Sequence, residues 1–386
     1  MNVFVITSVP MNPPWDQGDK NFAYVLTSAL PQVSFQVMTS RQGTPPKGDN
    51  LIQHKLFPSP RVSYLQKSGV YLRMIAQTHS PAIFGKDAVN GHTDIFHFIY
   101  RPNSLSTSLF KLLPKLHRRP KVHTMPAIGT TNGYGPELFF ADRVIAFSEY
   151  GRQLLQDSGV KNVIHIPPGI YITNWASLSH QTAHRKGRLG LGDQPVILYP
   201  GHFGAHHGLS TLLEALPNVV SRVPNVCFIF ACRLRSPEDY VHERNIQGQI
   251  SRMTLTANVR FYNTVSDMLT LIGASDIVVF PFLNMRDKVD IPTTLLEAMA
   301  AGKSVVISDI PPMNEIMASS TNSADNAGLT VPPGDPNALA EALSYLLIQE
   351  KLRERMGLFG SALVKEKHDI LQVASKYEAL YHDLLG

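Results

Sequence analysis

Cysteine is scarce in this chain, with two residues among 386, and this scarcity excludes a domain held together by disulfide bonds. Cys227 and Cys232 lie within one apolar, strand-like run, VCFIFAC, where the two thiols cannot reach each other. We therefore expect both thiols to stay reduced and the protein to work in the cytoplasm. Long apolar runs are missing too, because none approaches the ~20 residues that a membrane-spanning helix needs.

The first ten residues, MNVFVITSVP, lack the basic start and the long apolar segment of a signal peptide, so we expect a buried β-strand there. The hydrophobic fraction of 44% and the charged fraction of 17% are typical of a soluble globular protein. A chain of 386 residues is too long for one ordinary hydrophobic core, which predicts two domains of roughly 150–200 residues each.

Positive charge is concentrated in the first half of the chain. Residues 1–172 contain 17 Lys and Arg against 9 Asp and Glu, whereas residues 173–386 contain 18 against 21. The excess suits an anionic acceptor or the inner surface of a membrane, and the basic stretch at 104–121 suits either. An ordinary solvated helix is the interpretation that we favour for this stretch, because Pro114 interrupts it.

Buried strands alternate with helical segments in both halves of the sequence. Short apolar runs such as DIFHF, RVIAF, PVILYPG and DIVVFPF predict strands covered on both faces, and amphipathic segments separate them. This alternation predicts an α/β fold with a doubly wound parallel sheet in each half. Between Tyr171 and Gln194 the apolar period disappears, so we place a linker at 173–194 between domains at 1–172 and 195–365.

The stretch RDKVDIPTTLLEAMAAGK at 286–303 combines a polar loop with a helix start. Asp290 is a candidate cap, and Pro292 suits the first turn, where its missing N–H is no loss. Glu297 lies among apolar residues that recur at helical spacing, so its carboxylate needs a hydrogen-bond donor or must reach solvent as a half-exposed surface residue. Ahead of it, the free amides of PTTLL are a natural place for phosphate oxygens.

The loop GHFGAHHG places Gly201, Gly204 and Gly208 in a strand-to-helix turn, where backbone N–H groups approach a phosphate closely. It matches neither the dinucleotide-binding glycine pattern nor the P-loop. Three histidines occur in it, but no carboxylate or cysteine lies nearby, so we expect no metal. The later loop GLTVPPGDPN at 328–337 is interpreted as a connector.

Taken together, these segments resemble the retaining glycosyltransferases of the GT-B fold, family 4. The resemblance covers nearly the whole chain except 41–92 and lies in the order of the segments. It is carried by YPGHFGAHHGLSTLLEAL, NVRFYNTVSDMLTLIGASDIVVFPF, LLEAMAAGKSVVISDIPPMNEI and AGLTVPPGDPNALAEAL, and in the first half by DIFHF, ADRVIAFSEYGRQLL and VIHIPPGI. It implies two Rossmann-like domains with a donor cleft between them, and a C-terminal helix at 366–386 that crosses back to the N-terminal domain.

The resemblance also implies an activity. A hexose would pass from a nucleotide diphosphate sugar, with a UDP-sugar as the favoured donor, to a hydroxyl of a saccharide or lipid-linked acceptor. Configuration would be retained, with no metal and no other cofactor. Such a reaction belongs to polysaccharide or glycolipid assembly, in the cytoplasm or at the inner face of the membrane through the basic N-terminal domain. No nucleic acid is expected as a partner.

Individual residues follow from the same match. Glu297 corresponds to the carboxylate that holds the ribose hydroxyls of the donor, and the helix start lies where the family's amides meet the diphosphate. The further donor-binding candidates are Thr293, Thr294, Leu295, Gly201, His202, Gly204, His207 and Arg233. The first-domain loop at Gly18, Asp19 and Lys20 is the candidate acceptor site.

Three departures from the family pattern matter. Val289 stands where the family usually has a second Glu near the donor sugar, and Asp290 or Asp287 is the nearest substitute. His202 and His207 stand where the family has Arg and Lys. No histidine occupies the expected place in the first domain, which falls nearest Pro126, so His123 and His97 join Asp290 as catalytic candidates. A histidine in such a position is more often a satisfied core residue.

Two other functions remain open at this level. A sugar-nucleotide sensor or a scaffold, weakly active or inactive, would explain the missing Glu and the missing cations. A GT-B epimerase or a pyridoxal-dependent phosphorylase is the third hypothesis, and no lysine in this sequence has a setting that suggests a Schiff base.

Overall fold

The computed structural model describes residues 1–7, 18–38, 50–54, 93–111, 119–128, 134–176, 178, 182–204, 207–234, 236–263, 268–286, 288–317 and 326–386. These described residues form two compact units. The first comprises Met1–Ile170, Asp287–Asp290 and Ile370–Gly386, and the second comprises Tyr171–Arg286 and Ile291–Asp369. Most of the segment 41–92, which the family resemblance does not cover, lies outside the described residues, as does the part of the basic stretch at 112–118.

A seven-stranded parallel sheet forms the centre of the first unit. Its strand order is β3-β2-β1-β4-β5-β6-β7, and every neighbouring pair is parallel. The predicted first strand is present, and its apolar residues are buried on both faces. The strands are β1 Asn2–Thr7, β2 Ser34–Met38, β3 Leu51–His54, β4 Ile95–Ile99, β5 Lys121–Met125, β6 Arg143–Ala146 and β7 Val163–His165.

Helices cover this first sheet, and the last one comes from the end of the chain. They are α1 Gly18–Ser28, α2 Ser104–Lys111, α3 Glu149–Asp157 and the C-terminal helix Ile370–Leu385. Ser148 caps α3, because its hydroxyl accepts a hydrogen bond from the Gly151 N–H. The C-terminal helix packs in the core through Tyr377, whose ring lies 5.8 Å from that of Phe22 on α1.

The second unit contains a six-stranded parallel sheet. Its order is β10-β9-β8-β11-β12-β13, so the chain winds outward from β8 in one direction and then returns to continue from β11 in the other. The switch point of the sheet therefore lies between β8 and β11. The strands are β8 Val196–Tyr199, β9 Cys227–Phe230, β10 Val259–Phe261, β11 Ile277–Phe280, β12 Ser304–Ser308 and β13 Gly328–Val331. Cys227 and Cys232 are both buried and unbridged.

The helices of the second unit pack on both faces of its sheet. They are α4 Thr182–Arg188, α5 Leu209–Arg222, α6 Pro237–Arg252, α7 Met268–Ala274, α8 Thr293–Ala300, α9 Pro336–Ile348 and α10 Glu350–Lys367, followed in chain order by the C-terminal helix, α11. Apolar residues of α5 and α9, such as Leu216 and Leu343, close over one face of the sheet. Asp335, within the loop interpreted as a connector, caps α9 by accepting from the Asn337 and Ala338 N–H groups.

The polar segment interpreted as a linker, 173–194, lies in the second unit and contains α4. Lys186 on α4 is buried and places its ammonium 2.7 Å from the carboxylate of Asp276, which also accepts from the Val196 N–H. The Arg260 guanidinium donates to the Leu189 carbonyl. The polar residues that suggested a free linker therefore fasten this segment to the second sheet.

Among the helices within the described ranges, none has the length and the apolar character to cross a bilayer.

Candidate functional site

The carboxyl ends of the second sheet bring several predicted residues to one edge. Because all six strands are parallel, the loop at 200–208 after β8, Arg233 after β9 and the segment after β11 begin on that edge. Ligands of doubly wound sheets bind there, at the switch point. Arg233 is half-buried at this edge.

The glycine loop is shaped by the last residue of β8. The Tyr199 hydroxyl lies 3.0 Å from the His202 carbonyl oxygen and 3.1 Å from that of His207, so its proton is shared between the two ends of the loop. A Cβ on Gly201 would lie 2.0 Å from the Tyr199 ring. Gly208 has φ +69°, and a Cβ there would lie 1.5 Å from the Pro281 carbonyl oxygen, so both positions require glycine.

The loop brings two of its histidines together. The rings of His202 and His207 have their centroids 4.9 Å apart, and the His207 ring meets Phe282, after β11, at 6.0 Å. Gly204 lies beside them, because a Cβ on it would be 3.0 Å from His207 Cδ2. Within the ranges that the structure describes, no three His, Cys, Asp or Glu side chains are grouped to hold a metal ion.

Helix α8 begins at Thr293, and Pro292 is its N-cap. The prediction that Asp290 caps this helix is wrong, because the Asp290 carboxylate binds elsewhere and the helix start has no side-chain cap. The Leu295 N–H, one of the predicted phosphate donors, bonds the Pro292 carbonyl at 3.0 Å. The amides of Thr293 and Thr294 are the first two of the helix, and such amides have no intrahelical acceptor.

Glu297 lies on the second turn of α8 between fully buried apolar residues, Leu296 and Ala298. Its side chain is half-buried, and its carboxylate makes no hydrogen bond with any residue that the structure describes. Burial raises the pKa of Glu297 to about 8. At pH 7 this carboxyl group is therefore mainly protonated, and hydrogen-bond donors from a ligand would favour its ionised form.

Asp290, a predicted catalytic residue, is buried in the first unit. Its Oδ1 accepts from the Ile128 N–H at 2.8 Å, its Oδ2 accepts from the Ser148 hydroxyl at 2.6 Å, and its own N–H donates to Pro126 at 3.0 Å. With 1% of its surface exposed and both oxygens bonded to protein donors, Asp290 is a structural tie between its own segment and the start of α3. Asp287 lies outside the described residues.

Val289 packs against the start of α1, where the predicted acceptor residues lie. A Cβ on Gly18 would be 2.7 Å from Val289 Cγ1, so the two residues are in close contact within the first unit. Lys20 is 4% exposed, and the side chain of Asp19 lies outside the described part of the chain. Packing against Val289 therefore requires a glycine at position 18, and this requirement does not depend on acceptor binding.

His97 and His123, the other two catalytic candidates, are core residues. His97 Nδ1 lies 2.7 Å from the Tyr381 hydroxyl and its Nε2 lies 2.7 Å from Thr124 Oγ1, while His123 Nε2 lies 3.0 Å from the Tyr100 carbonyl. Burial lowers the pKa of His97 to about 3 and that of His123 to about 4, so both are neutral at pH 7. Neither side chain is exposed, and we no longer propose either as catalytic.

One polar residue at the carboxyl edge of the second sheet was missed by the sequence analysis. Asn263 follows β10 by two residues, and its side-chain nitrogen donates to Glu243 Oε1 on α6 at 2.6 Å. No motif marks this pair, because its members lie twenty residues apart on a helix and a loop. Tyr199 was likewise read only as part of a buried strand.

The chain is similar to known proteins both in sequence and in fold. Residues 194–349 match the family model described as glycosyl transferases group 1. The phosphatidyl-myo-inositol mannosyltransferase of Mycobacterium tuberculosis is 26% identical over 314 residues, which is 77% of this chain and 75% of that protein. Sucrose-phosphate synthase from Thermosynechococcus elongatus superposes with a TM-score of 0.79 at 19% identity, covering 100% of this chain and 99% of the other. The Anabaena protein HepE in complex with UDP superposes with a TM-score of 0.74 at 17% identity, over the whole of both chains.

The two parallel-sheet units and these superpositions define the GT-B fold, as the sequence predicted. The chain has this fold and is a glycosyltransferase, and its residues 194–349 match the family model of the glycosyl transferases group 1.

Proposed function

We propose that this glycosyltransferase moves a sugar from a nucleotide diphosphate sugar to an acceptor hydroxyl with retained configuration. The observation that carries the proposal is Glu297, a half-buried carboxyl group with a raised pKa and no hydrogen-bond donor among the described residues. The two hydroxyls of a ribose are two O–H donors on adjacent carbons, which one carboxylate accepts together. Every nucleotide sugar offers this pair.

The diphosphate of the donor would lie against the helix start and the glycine loop. Thr293 and Thr294 offer amides at the positive end of α8, one turn before Glu297. His202 and His207 lie side by side on the loop after β8, at the switch point of the same sheet. We propose that these groups, with Arg233, stabilise the leaving diphosphate without a metal ion.

The relatives support one choice of acceptor and nucleotide. The mycobacterial relative is named for a phosphatidyl-myo-inositol acceptor, and HepE was solved with UDP. We propose a UDP-sugar as donor and a lipid-linked or saccharide acceptor, with the domain at 195–365 binding the donor and the domain at 1–172 the acceptor. The positive charge of residues 1–172 suits an anionic lipid at the inner face of the membrane.

A second candidate, a nucleotide-sugar sensor or scaffold without strong activity, is favoured by one observation. Val289 contacts Gly18, and Asp290 has both oxygens bonded, so neither places a free carboxylate where the family has its second Glu. Both candidates require nucleotide binding through Glu297, and they differ in turnover.

A panel of nucleotide sugars tests the proposal. Thermal-shift measurements identify the donor, since a ligand at 100 times its dissociation constant stabilises the protein by about 2.7 kcal/mol. Incubation of that donor with saccharide and lipid acceptors, followed by NMR of the new anomeric centre, then tests transfer and retention. Donor binding with neither transfer nor hydrolysis would support the sensor, and no binding by any nucleotide sugar would contradict both candidates.

A further inference from the structure

Asn263 has an amide whose orientation is fixed by its neighbours. Its nitrogen donates to Glu243 Oε1 at 2.6 Å, and Gln247 donates to the same oxygen at 3.4 Å. Because a carboxylate has only acceptors, the nitrogen of Asn263 must face Glu243 and the oxygen must point the other way. Glu243, on α6, is only 8% exposed, so the acceptor that fixes the Asn263 amide is itself buried.

The oxygen of Asn263 is buried and has no hydrogen-bond donor in the part of the chain that the structure describes. A buried amide oxygen without a donor is unfavourable and uncommon in folded proteins. Such an atom is explained when a ligand supplies the missing N–H or O–H group.

The position of Asn263 indicates which part of a ligand would do so. Asn263 follows β10, and the glycine loop follows β8. Only β9 lies between these two strands, so Asn263 and the glycine loop are two strand spacings apart along the carboxyl edge, which is about 10 Å. That displacement is of the size that separates the phosphates of a nucleotide from its base. The base, and not the diphosphate, is therefore the group that reaches Asn263.

We infer that Asn263 Oδ1 reads the base of the donor nucleotide by accepting a hydrogen bond from a ring N–H. Uracil N3–H and guanine N1–H are such donors. Adenine has no ring N–H and offers Oδ1 only its exocyclic amino group. The second hydrogen bond with which asparagine normally reads adenine is excluded here, because the nitrogen is committed to Glu243. The site thus selects uridine or guanosine diphosphate sugars over adenosine ones. This inference rests on the proposed function, because it requires a nucleotide in the second unit.

Calorimetry on the full chain with UDP, GDP, ADP and their ring-N-methylated forms, N3-methyl-UDP and N1-methyl-GDP, tests the inference. The wild type should bind UDP or GDP more tightly than ADP, and methylation of the preferred base should weaken binding roughly 5- to 150-fold, the range for one buried hydrogen bond. Asn263→Ala should show the same loss with the unmodified base and no further loss on methylation.

Asn218→Ala removes an exposed asparagine of the same unit, on α5, and should leave all affinities unchanged. If Asn263→Ala fails to fold, the methylated nucleotides on the wild type give the answer alone. Unchanged affinity for the methylated base, or equal methylation losses in wild type and Asn263→Ala, would overturn the inference. Absence of binding by any nucleotide, or binding that Glu297→Gln leaves intact, would instead contradict the proposed function.

Discussion

The Ser148 hydroxyl donates a hydrogen bond of 2.6 Å to the Asp290 carboxylate while accepting one from the Gly151 N–H. One oxygen atom therefore both caps α3 and fixes a segment from far along the chain. Asp290 is held on its other side by the Ile128 N–H. This arrangement gives Asp290 a structural role. A substitution can distinguish that role from the catalytic role that the sequence suggests.

Replacing Asp290 by Ala should destabilise the protein by about 2–5 kcal/mol, since it leaves a buried N–H and a buried hydroxyl without their charged acceptor. Chemical denaturation measures this loss. Asp335→Ala, which removes the half-buried cap of α9, is the control and should cost about 1 kcal/mol. Wild-type stability in Asp290→Ala together with abolished transfer would restore the catalytic role.

Glu297 should lower the stability of the free protein and raise its affinity for the nucleotide. Its pKa is raised from 4.5 to about 8, so the unfolded chain ionises first and stability falls as pH rises from about 4.5 to 8. Glu297→Gln should therefore stabilise the free protein by up to about 3 kcal/mol at pH 7, because an amide does not ionise. Nucleotide affinity should fall by about 1.5–3 kcal/mol, and denaturation and calorimetry on the same variant measure both. A variant that is less stable and binds equally well would contradict the assignment.

The pH dependence of donor binding separates two electrostatic accounts. If ribose binds the ionised form of Glu297, a proton leaves on binding, and affinity should rise about tenfold per pH unit up to about pH 8. If charged imidazoles at His202 and His207 dominate, affinity should instead fall as pH rises. Calorimetry from pH 6 to 9 decides, with Glu297→Gln expected to remove the rise and His202→Arg expected to remove any fall.

The protein should be sensitive to acid because of His97 and His123. Their folded pKa values, about 3 and about 4, are below the ordinary 6.5, so the unfolded chain binds protons first as pH falls. The stabilisation that comes from keeping these two rings neutral is complete above pH 6.5. By pH 5, each histidine should have lowered the free energy of unfolding by about 2 kcal/mol. Denaturation at pH 7 and pH 5 should be measured in the Glu297→Gln variant, because ionisable Glu297 stabilises the protein as pH falls and would mask the loss. Adding His184→Gln, at an exposed position, should leave the loss unchanged. Equal stability of Glu297→Gln at the two pH values would show that these rings are not buried as described.

Gly208→Ala should distort the glycine loop, because the added methyl group meets the Pro281 carbonyl oxygen. Gly192→Ala is a matched control, since Gly192 also has a positive φ, +56°, but has no atom within 4 Å of the added Cβ. The control should cost about 1–2 kcal/mol and keep nucleotide affinity, whereas Gly208→Ala should lose affinity as well. If the two variants show the same stability in denaturation and the same nucleotide affinity in calorimetry, the close contact with Pro281 does not explain the need for glycine at position 208.

Sequence patterns alone predict the α/β class, the two parallel sheets and the strand-to-helix loops at the carboxyl edge of the second sheet. These features depend on local periodicity, because continuous apolar runs become buried parallel strands and glycine at 201 and 208 allows a turn that other residues do not. The placement of Glu297 on an apolar helix also follows from spacing along one helix. Such properties are local and are therefore readable from the chain.

Tertiary structure alone decided the roles of the isolated polar residues. Asp290 meets Ser148 across 142 positions, His97 meets Tyr381 across 284, and Asn263 meets Glu243 across 20, and no pattern along the sequence encodes these contacts. Whether a carboxylate or an imidazole reacts with a ligand or satisfies the core depends on which donors surround it after folding. For this reason the sequence suggests a catalytic role for Asp290 and His97 that the folded protein does not support, and only the folded protein reveals the buried oxygen of Asn263.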